Sequence, residues 1–159
     1  MKRLLVTLLL SASAIHADGV FSIGHKNFGF SIGQQSAYGH DYTVIGASVN
    51  YMVADNISAG LAYQTWLGDD PSINQITLPV TYHVPLEAPY RPYVGAFYSH
   101  TFMGDDGRYV YEDYDSYGYR LGAAFNTSET SYAAVGMVHE FYSTGGDNIY
   151  PEVLFGMSF

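Results

Sequence analysis

The sequence predicts an all-β fold, an eight-stranded antiparallel up-and-down transmembrane β-barrel. Three observations predict it: apolar and polar residues alternate with period two, short and long connections alternate, and charges avoid the middle of the alternating segments. Charged residues make up 13% of the 159 residues and aromatic residues 16%. A soluble domain usually carries about 25% charged residues. The composition therefore excludes an ordinary soluble-enzyme surface, and the many aromatic residues exclude intrinsic disorder.

The first residues have the features of a secretory signal peptide. Lys2 and Arg3 precede an apolar run, and small residues lead to Ala17. The apolar run is too short to cross about 30 Å of hydrocarbon. We therefore expect a signal peptide over residues 1–17 and the transmembrane barrel over residues 18–159. After this segment no run of apolar residues is long enough for a membrane helix.

The clearest strands lie on either side of Ala54-Asp55-Asn56, which reads as a tight turn. Residues 43–53 and Ile57–Leu67 each place large apolar residues on one face and Gly, Ser, Asn and Gln on the other. A less regular first strand lies within Gly19–Gly33, where a change of parity near His25–Asn27 predicts a bulge. The remaining strands are expected over Ile73–Val84, Tyr90–Met103, Ser116–Asn126, Thr130–Tyr142 and Ile149–Phe159.

The connections alternate in length, as they do in outer-membrane barrels. The short ones are expected at Ala54–Asn56, Pro85–Pro89 and Thr127–Glu129, and the long ones at Gln34–Asp41, Gly68–Ser72, Gly104–Asp115 and Thr144–Asn148. Most of the 15 acidic residues fall in the long connections. A soluble lipocalin-like barrel is the alternative, but its polar face would carry many charges. The small polar residues found here suit a narrow lumen, so the pattern favours a membrane barrel.

The end of the sequence adds a more specific pattern. Val153, Phe155, Met157 and Phe159 share one face of the last strand, and the sequence stops on an aromatic residue. This face resembles the C-terminal assembly signal of bacterial outer-membrane barrels. Other aromatic residues fall near both ends of the strands, where interfacial girdles are expected.

Two further stretches carry a family resemblance. Leu78–Pro85 followed by Tyr90–Phe97 resembles the fourth and fifth strands of small OmpA- and OmpW-type barrels, and Val53–Tyr63 is similar to their periplasmic hairpin. The resemblance implies a porin-like, monomeric protein in the outer membrane of a Gram-negative bacterium. It also implies contact with lipid and lipopolysaccharide, and with periplasmic chaperones and the barrel-assembly machinery during biogenesis. The chain ends at its last strand, so no peptidoglycan-binding domain is expected.

Function is less constrained than fold. The interior of an eight-stranded barrel is just wide enough to be filled by side chains, here by residues such as Trp66, Tyr93 and Phe97. We therefore expect a plugged lumen and a non-enzymatic structural or surface-interaction role. The alternative is a narrow channel or transporter for small or hydrophobic solutes, and the third is a lipid A-modifying enzyme. The net charge of −9 disfavours a nucleic-acid partner.

Two sets of residues are candidates for a catalytic site. His139, Glu140 and Ser143 lie together near the end of one strand, but alternation places Glu140 on the opposite face from His139. His40, Asp70 and Ser72 lie in two long connections. Lipid A-modifying barrels are similar in using such residue types, but neither set has their spacing or context. We expect no enzymatic activity, no cofactor and, because the chain has no Cys and scattered His residues, no metal site.

One long connection is strongly acidic. Its carboxylates belong to Asp105, Asp106, Glu112, Asp113 and Asp115, and their spacing does not match a calcium-binding EF-hand. Loose divalent-cation binding, or bridging to lipopolysaccharide, is one interpretation. A solvated loop is the other, and its tyrosines also suit a contact surface.

The last prediction concerns charges inside the barrel. Lys26, Arg120, Glu140 and Glu152 fall within strands that are neighbours once the barrel closes. A charge facing lipid at mid-depth costs about 2 to 4 kcal/mol for Arg or Lys, so alternation predicts that these side chains face inward. We expect them to form a neutral salt-bridge cluster that plugs the lumen. The alternative is four charges at different heights, each solvated separately.

Overall fold

The computed structural model describes residues 19–37, 40–68, 71–86, 89–104 and 111–159. The expected signal peptide lies outside this range, as do Asp70, Asp105 and Asp106. The described chain is a closed antiparallel barrel of eight strands, each paired with its sequence neighbour, and the last strand pairs with the first. The predicted fold class is therefore confirmed. The strands are β1 (Lys26–Ala37), β2 (His40–Ala54), β3 (Ile57–Leu67), β4 (Ile73–His83), β5 (Tyr90–Met103), β6 (Tyr114–Asn126), β7 (Ser131–Tyr142) and β8 (Asp147–Ser158).

Alternation along the strands sorts side chains between the lumen and the outer wall. Leu61 and Phe155 point outward and are 54% and 53% exposed, whereas Met52, which faces the lumen, is fully buried. The outer wall is a continuous apolar band, which suits contact with lipid chains. The described residues contain no helix that is long and apolar enough to cross a membrane.

Two details of the predicted strands are wrong. Residues Gln34–Asp41 are not a long connection, because β1 runs to Ala37 and β2 begins at His40. The bulge expected at His25–Asn27 is also wrong, because β1 pairs with β2 in one register from Lys26 onward. The change in which alternate positions are apolar marks the start of β1. The register shift lies instead in β2, between Met52 and Ala54.

The connections define two ends of the barrel. We call the end with the β2–β3, β4–β5 and β6–β7 connections the turn end, and the opposite end the loop end. Each end has an apolar cluster inside the lumen. The turn-end cluster consists of Val20, Phe21, Met52, Tyr93, Ala124 and Ala134, with Tyr132 and Leu154 against it. The loop-end cluster consists of Tyr42, Val44, Trp66 and Ile73, with Met103 against it.

The turn end is closed by a segment that the sequence pattern did not reveal. Gly19–Phe21 forms a short 3-10 turn before β1, and the Phe21 side chain is only 2% exposed. The Phe21 carbonyl accepts a hydrogen bond from the Asn56 amide at 2.8 Å. The Phe21 ring lies 4.4 Å from the His83 ring, and the Arg91 guanidinium lies 5.1 Å above its centre. Residues that alternation assigned to the first strand thus fill the mouth of the lumen.

Candidate functional site in the barrel lumen

Between the two apolar clusters the lumen is polar, and Glu140 lies in this region toward the loop end, two residues before the end of β7. Its side chain is 2% exposed, yet it faces no cation within 4 Å in the described part of the chain. Three neutral donors hold it instead: Gln75 Nε2 at 3.0 Å, Ser116 Oγ at 2.5 Å and the Tyr150 hydroxyl at 3.1 Å. Hydrogen bonds to a charged group are the stronger kind, so these donors offset part of the cost of burying the carboxylate.

Arg120 and Glu152 form the ion pair of the lumen. Arg120 Nη1 lies 3.6 Å from Glu152 Oε2, and the side chains are 18% and 9% exposed. The other carboxylate oxygen, Oε1, accepts a hydrogen bond from the Tyr93 hydroxyl at 2.7 Å. The Arg120 guanidinium also lies 5.9 Å from the centre of the Phe97 ring, within the range of cation–π attraction.

The predicted four-charge cluster is therefore only partly assembled. Arg120, Glu140 and Glu152 face the lumen as alternation required. The inward placement of Lys26 is wrong: it pairs with Tyr51 on the outward-facing register and is exposed at the turn end. The error follows from the misplaced bulge, since the correct start of β1 reverses the parity of Lys26. Energetic coupling among Arg120, Glu140 and Glu152 stays a prediction.

The lumen also contains an unfilled space. A cavity of about 100 Å³ lies along β1, β2 and β3, where the inward residues are mostly Gly, Ser, Ala, Asn and Gln. By contrast, large side chains such as Tyr93 and Tyr132 fill the side formed by β5 to β8. Sequence reasoning missed the cavity, although the concentration of small residues in the first three strands was a signal of it.

The first catalytic set is not assembled. Glu140 lies in the lumen, whereas His139 lies on the outer wall, where its ring contacts Asp147 Oδ2 at 2.7 Å and the Tyr119 hydroxyl at 2.8 Å. The Ser143 hydroxyl accepts a hydrogen bond from the Asp115 amide at 3.1 Å. The second set, His40, Asp70 and Ser72, includes a residue outside the described range and stays an untested hypothesis.

Two of the described carboxylates of the acidic connection, Asp113 and Asp115, are engaged in local contacts. Asp113 accepts a hydrogen bond from the Met103 amide at 2.9 Å. Asp115 contacts the His100 ring and the Tyr98 hydroxyl, each at 2.7 Å. Among the residues the structure describes, no group of three or more His, Asp or Glu side chains is arranged to hold a metal ion.

The C-terminal face points outward as its alternation predicted. Val153, Phe155, Met157 and Phe159 are 38%, 53%, 61% and 73% exposed on the outer wall. This position is compatible with recognition from outside the barrel, and the role of the face in assembly stays a prediction.

Comparison with solved structures finds the same fold in small outer-membrane barrels. The N-terminal β-barrel domain of Pseudomonas aeruginosa OprF superposes with a TM-score of 0.65 at 18% identity, over 87% of this chain and 98% of that one. Neisserial surface protein A gives 0.57 at 14% identity, over 84% and 91%. The outer membrane protein OprG from Pseudomonas aeruginosa gives 0.54 at 16% identity, over 87% and 97%.

No protein-family model and no curated protein sequence matches the chain. The likeness is therefore one of fold, and the fold is that of the small eight-stranded outer-membrane barrels.

Proposed function

We propose that the protein is a non-enzymatic outer-membrane β-barrel, closed along its axis, with a structural or surface-interaction role. The observation that carries this proposal is the presence of an apolar cluster at each end of the lumen. Phe21 lies in the turn-end cluster, and Trp66 lies in the loop-end cluster. Apolar side chains narrow the lumen at both ends, which supports closure along its axis. The outer membrane of a Gram-negative bacterium is the compartment that its fold and apolar wall favour.

The outer wall supports the same proposal. Near the loop end the Tyr117 and Phe141 rings stack with their centres 5.6 Å apart, and Tyr119 contacts His139 at the same level. Aromatic side chains with a polar edge are favoured where the hydrocarbon meets the headgroups. This belt, together with the acidic connection above it, is suited to holding a monomer among lipopolysaccharide molecules and presenting its loops.

The test is conductance in planar lipid bilayers. The purified wild-type barrel is expected to insert without producing steps of ionic current. Stable current steps that vary with salt concentration would contradict axial closure and favour the narrow channel for small solutes.

The enzymatic alternative has its own measurement. Mass spectrometry of lipid A from cells with and without the protein is expected to show the same species. A mass change equal to an acyl chain would contradict the non-enzymatic role.

A further inference from the structure

The segment that closes the turn end is not part of the barrel wall. It begins with the 3-10 turn Gly19–Phe21 and precedes β1. Val20 and Phe21 are buried inside the lumen, whereas Ile23, only two residues later, is exposed at the turn end. One short segment therefore has an apolar part in the lumen and an exposed part in solvent. We call residues 19–23 the lid.

The lid is fastened to the β2–β3 turn. The Asn56 amide donates to the Phe21 carbonyl at 2.8 Å, and the Ile23 amide donates to Asp55 Oδ1 at 2.9 Å. Arg91 holds both partners, because its Nη1 donates to Asn56 Oδ1 at 3.0 Å and its guanidinium lies over the Phe21 ring. Asp55 is exposed, so water competes for its hydrogen bond to Ile23. Exposed backbone hydrogen bonds of this kind are typical of segments that open locally.

A fixed corner at Gly24 separates the lid from β1. Gly24 has a φ of +89°, in the left-handed region that favours glycine. The Gly24 amide donates to the Met52 carbonyl and the Met52 amide donates to the His25 carbonyl, each at 2.9 Å, so the corner is held against β2. Hinges are a few loop residues that absorb changes of backbone dihedral angle. Ser22 and Ile23 occupy that position between the buried part of the lid and the corner, so the lid can move while β1 keeps its pairing.

The lid lies between the lumen cavity and the solvent at the turn end. The Phe21 ring packs against the His83 and Tyr132 rings, with centres 4.4 and 5.5 Å away, and both of these residues line the cavity. Withdrawal of the Phe21 ring therefore joins the cavity to the mouth of the barrel. It also gives water access to His83 Nδ1, a buried atom without a hydrogen-bond partner within the described residues. Hydration of that atom offsets part of the apolar contact that opening removes.

We propose that the lid opens and closes over the lumen cavity, and that it admits small polar solutes from the compartment at the turn end. In the closed state the Phe21 ring fills the mouth and the Asp55 and Asn56 hydrogen bonds are formed. In the open state these hydrogen bonds break and Phe21 leaves the mouth. The exposed cavity suits polar solutes, because Ser48 and Gln64 are among its lining residues. The loop-end cluster consists of other residues and stays in place, so the lid is independent of closure along the axis.

The rate of thiol labelling inside the cavity measures how often the lid opens. The chain has no native cysteine, so Ser48→Cys places a single thiol among the lining residues. The probe is the trimethylammonium-ethyl ester of methanethiosulfonate, a small cation that does not cross lipid, added to the barrel in lipid nanodiscs. Peptide mass spectrometry gives the labelling rate at position 48. Slow labelling that goes to completion is expected, and the absence of labelling would overturn the proposal.

A disulfide that locks the lid tests the route. I23C/D55C joins the lid to the β2–β3 turn at the place of the Ile23–Asp55 hydrogen bond. Oxidation of this pair is expected to lower the labelling rate at least tenfold below that of Ser48→Cys alone, with recovery on reduction. F28C/M157C, which joins the paired strands β1 and β8, is the matched control, and its oxidation should change nothing. Equal rates in oxidised and reduced I23C/D55C overturn the proposal, because the thiol is then reached by another route.

Two further variants keep the test decisive if the engineered disulfide does not form. In the Ser48→Cys background, Asp55→Ala removes the acceptor of the Ile23 amide and is expected to raise the labelling rate several-fold. Phe21→Ala empties the mouth and is expected to raise it at least tenfold. Glu129→Ala, at an exposed carboxylate of the β6–β7 connection, is the control and should leave the rate unchanged. An unchanged rate in either lid variant overturns the proposal.

Conductance recorded on the same samples keeps the two proposals separate. Current steps from the wild-type barrel would contradict closure along the axis, whereas the effect of the oxidised lock on labelling at position 48 decides the lid. The structural role and the lid can therefore fail independently.

Discussion

The Glu152 carboxylate lies 3.6 Å from the Arg120 guanidinium inside the barrel, and the same carboxylate accepts a hydrogen bond from the Tyr93 hydroxyl. The two charges belong to β6 and β8, which do not pair directly, so their contact crosses the lumen over β7. This pair therefore links strands that the backbone ladder does not join. In the middle of the barrel the Arg120–Glu152 pair stabilises the contact between strands, whereas apolar contacts do so at the two ends.

Arg120→Met is expected to destabilise the barrel by about 3 to 5 kcal/mol, because it leaves the buried Glu152 carboxylate without its cation. Arg120→Met combined with Glu152→Gln is expected to recover part of this loss. Urea unfolding in lipid vesicles measures both. The control is the double-mutant cycle of Arg120→Met with Glu140→Gln. We expect a smaller coupling energy between these two side chains, because Glu140 is held by neutral donors. Additive effects in the Arg120–Glu152 cycle would show that the pair has no energetic role.

Glu140→Leu is expected to be more destabilising than Glu140→Gln. Leucine leaves the Gln75, Ser116 and Tyr150 donors unsatisfied, at about 1 to 3 kcal/mol for each group that finds no other partner. Glutamine keeps an acceptor oxygen at the same place. Unfolding free energies of the two variants give the comparison. Equal stability of the two would mean that water replaces the carboxylate without cost.

Alternation was sufficient to predict the strands and most of the lumen, because a side-chain period of two is set by the local geometry of a strand. Arg120, Glu140 and Glu152 were placed inward from their neighbours in sequence alone. The same rule failed for Lys26, since one residue of error at the start of β1 exchanges the two faces.

Three features depend on contacts distant in sequence and were not predictable in this way. Phe21 enters the lumen because the Asn56 amide and the His83 ring receive it, and both belong to other parts of the chain. The ion pair between Arg120 and Glu152 depends on the curvature of the barrel wall, which brings inward side chains of β6 and β8 together. The extent of the β1–β8 pairing, which ends at Ser31 and Leu154, depends on where the first and last strands separate, and no local pattern records this.

Gly136→Ala is expected to cost about 1 to 3 kcal/mol through overpacking. Gly136 is paired with Gly122, and a Cβ atom there would meet the Leu121 carbonyl oxygen at 2.6 Å and the Tyr93 ring at 3.2 Å. Gly33→Ala is the matched control, because a Cβ atom at that inward position of β1 meets nothing within 4 Å. Thermal unfolding in detergent compares the two. A loss of stability in Gly33→Ala equal to that in Gly136→Ala would point to backbone strain in place of packing.

Opening one end of the lumen is not expected to create a channel, because the apolar cluster at the other end still blocks it. Phe21→Ala and Trp66→Ala should each remain silent in planar bilayers, whereas the combination should give small current steps. Trp66 is the largest side chain of the loop-end cluster, and Phe21 is, with Tyr93, one of the two buried aromatic residues of the turn-end cluster. Current steps from Phe21→Ala alone would mean that the loop-end cluster does not close the lumen.

Deletion of Phe159, or Phe159→Asp, is expected to lower the amount of heat-modifiable barrel in the outer membrane. Phe159 is 73% exposed and lies on the outward face shared with Met157 and Phe155, so it is accessible before the barrel is complete. It also exchanges backbone hydrogen bonds with Lys26, so the deletion removes the end of the closing ladder, whereas the substitution keeps that backbone. A reduction in Phe159→Asp therefore separates loss of the aromatic side chain from loss of the ladder.

The matched control is Phe125→Asp, which changes an aromatic residue of the same outward parity at the turn end of β6. If Phe159 acts as part of an assembly signal, Phe159→Asp reduces the amount of assembled barrel strongly. Phe125→Asp then causes only the smaller reduction expected for any charge placed in the aromatic girdle. Equal reductions would assign the effect to the girdle, because a charge at the interface costs roughly 0 to 1 kcal/mol wherever it lies around the barrel. Normal levels of assembled Phe159→Asp would contradict a signal at the last residue.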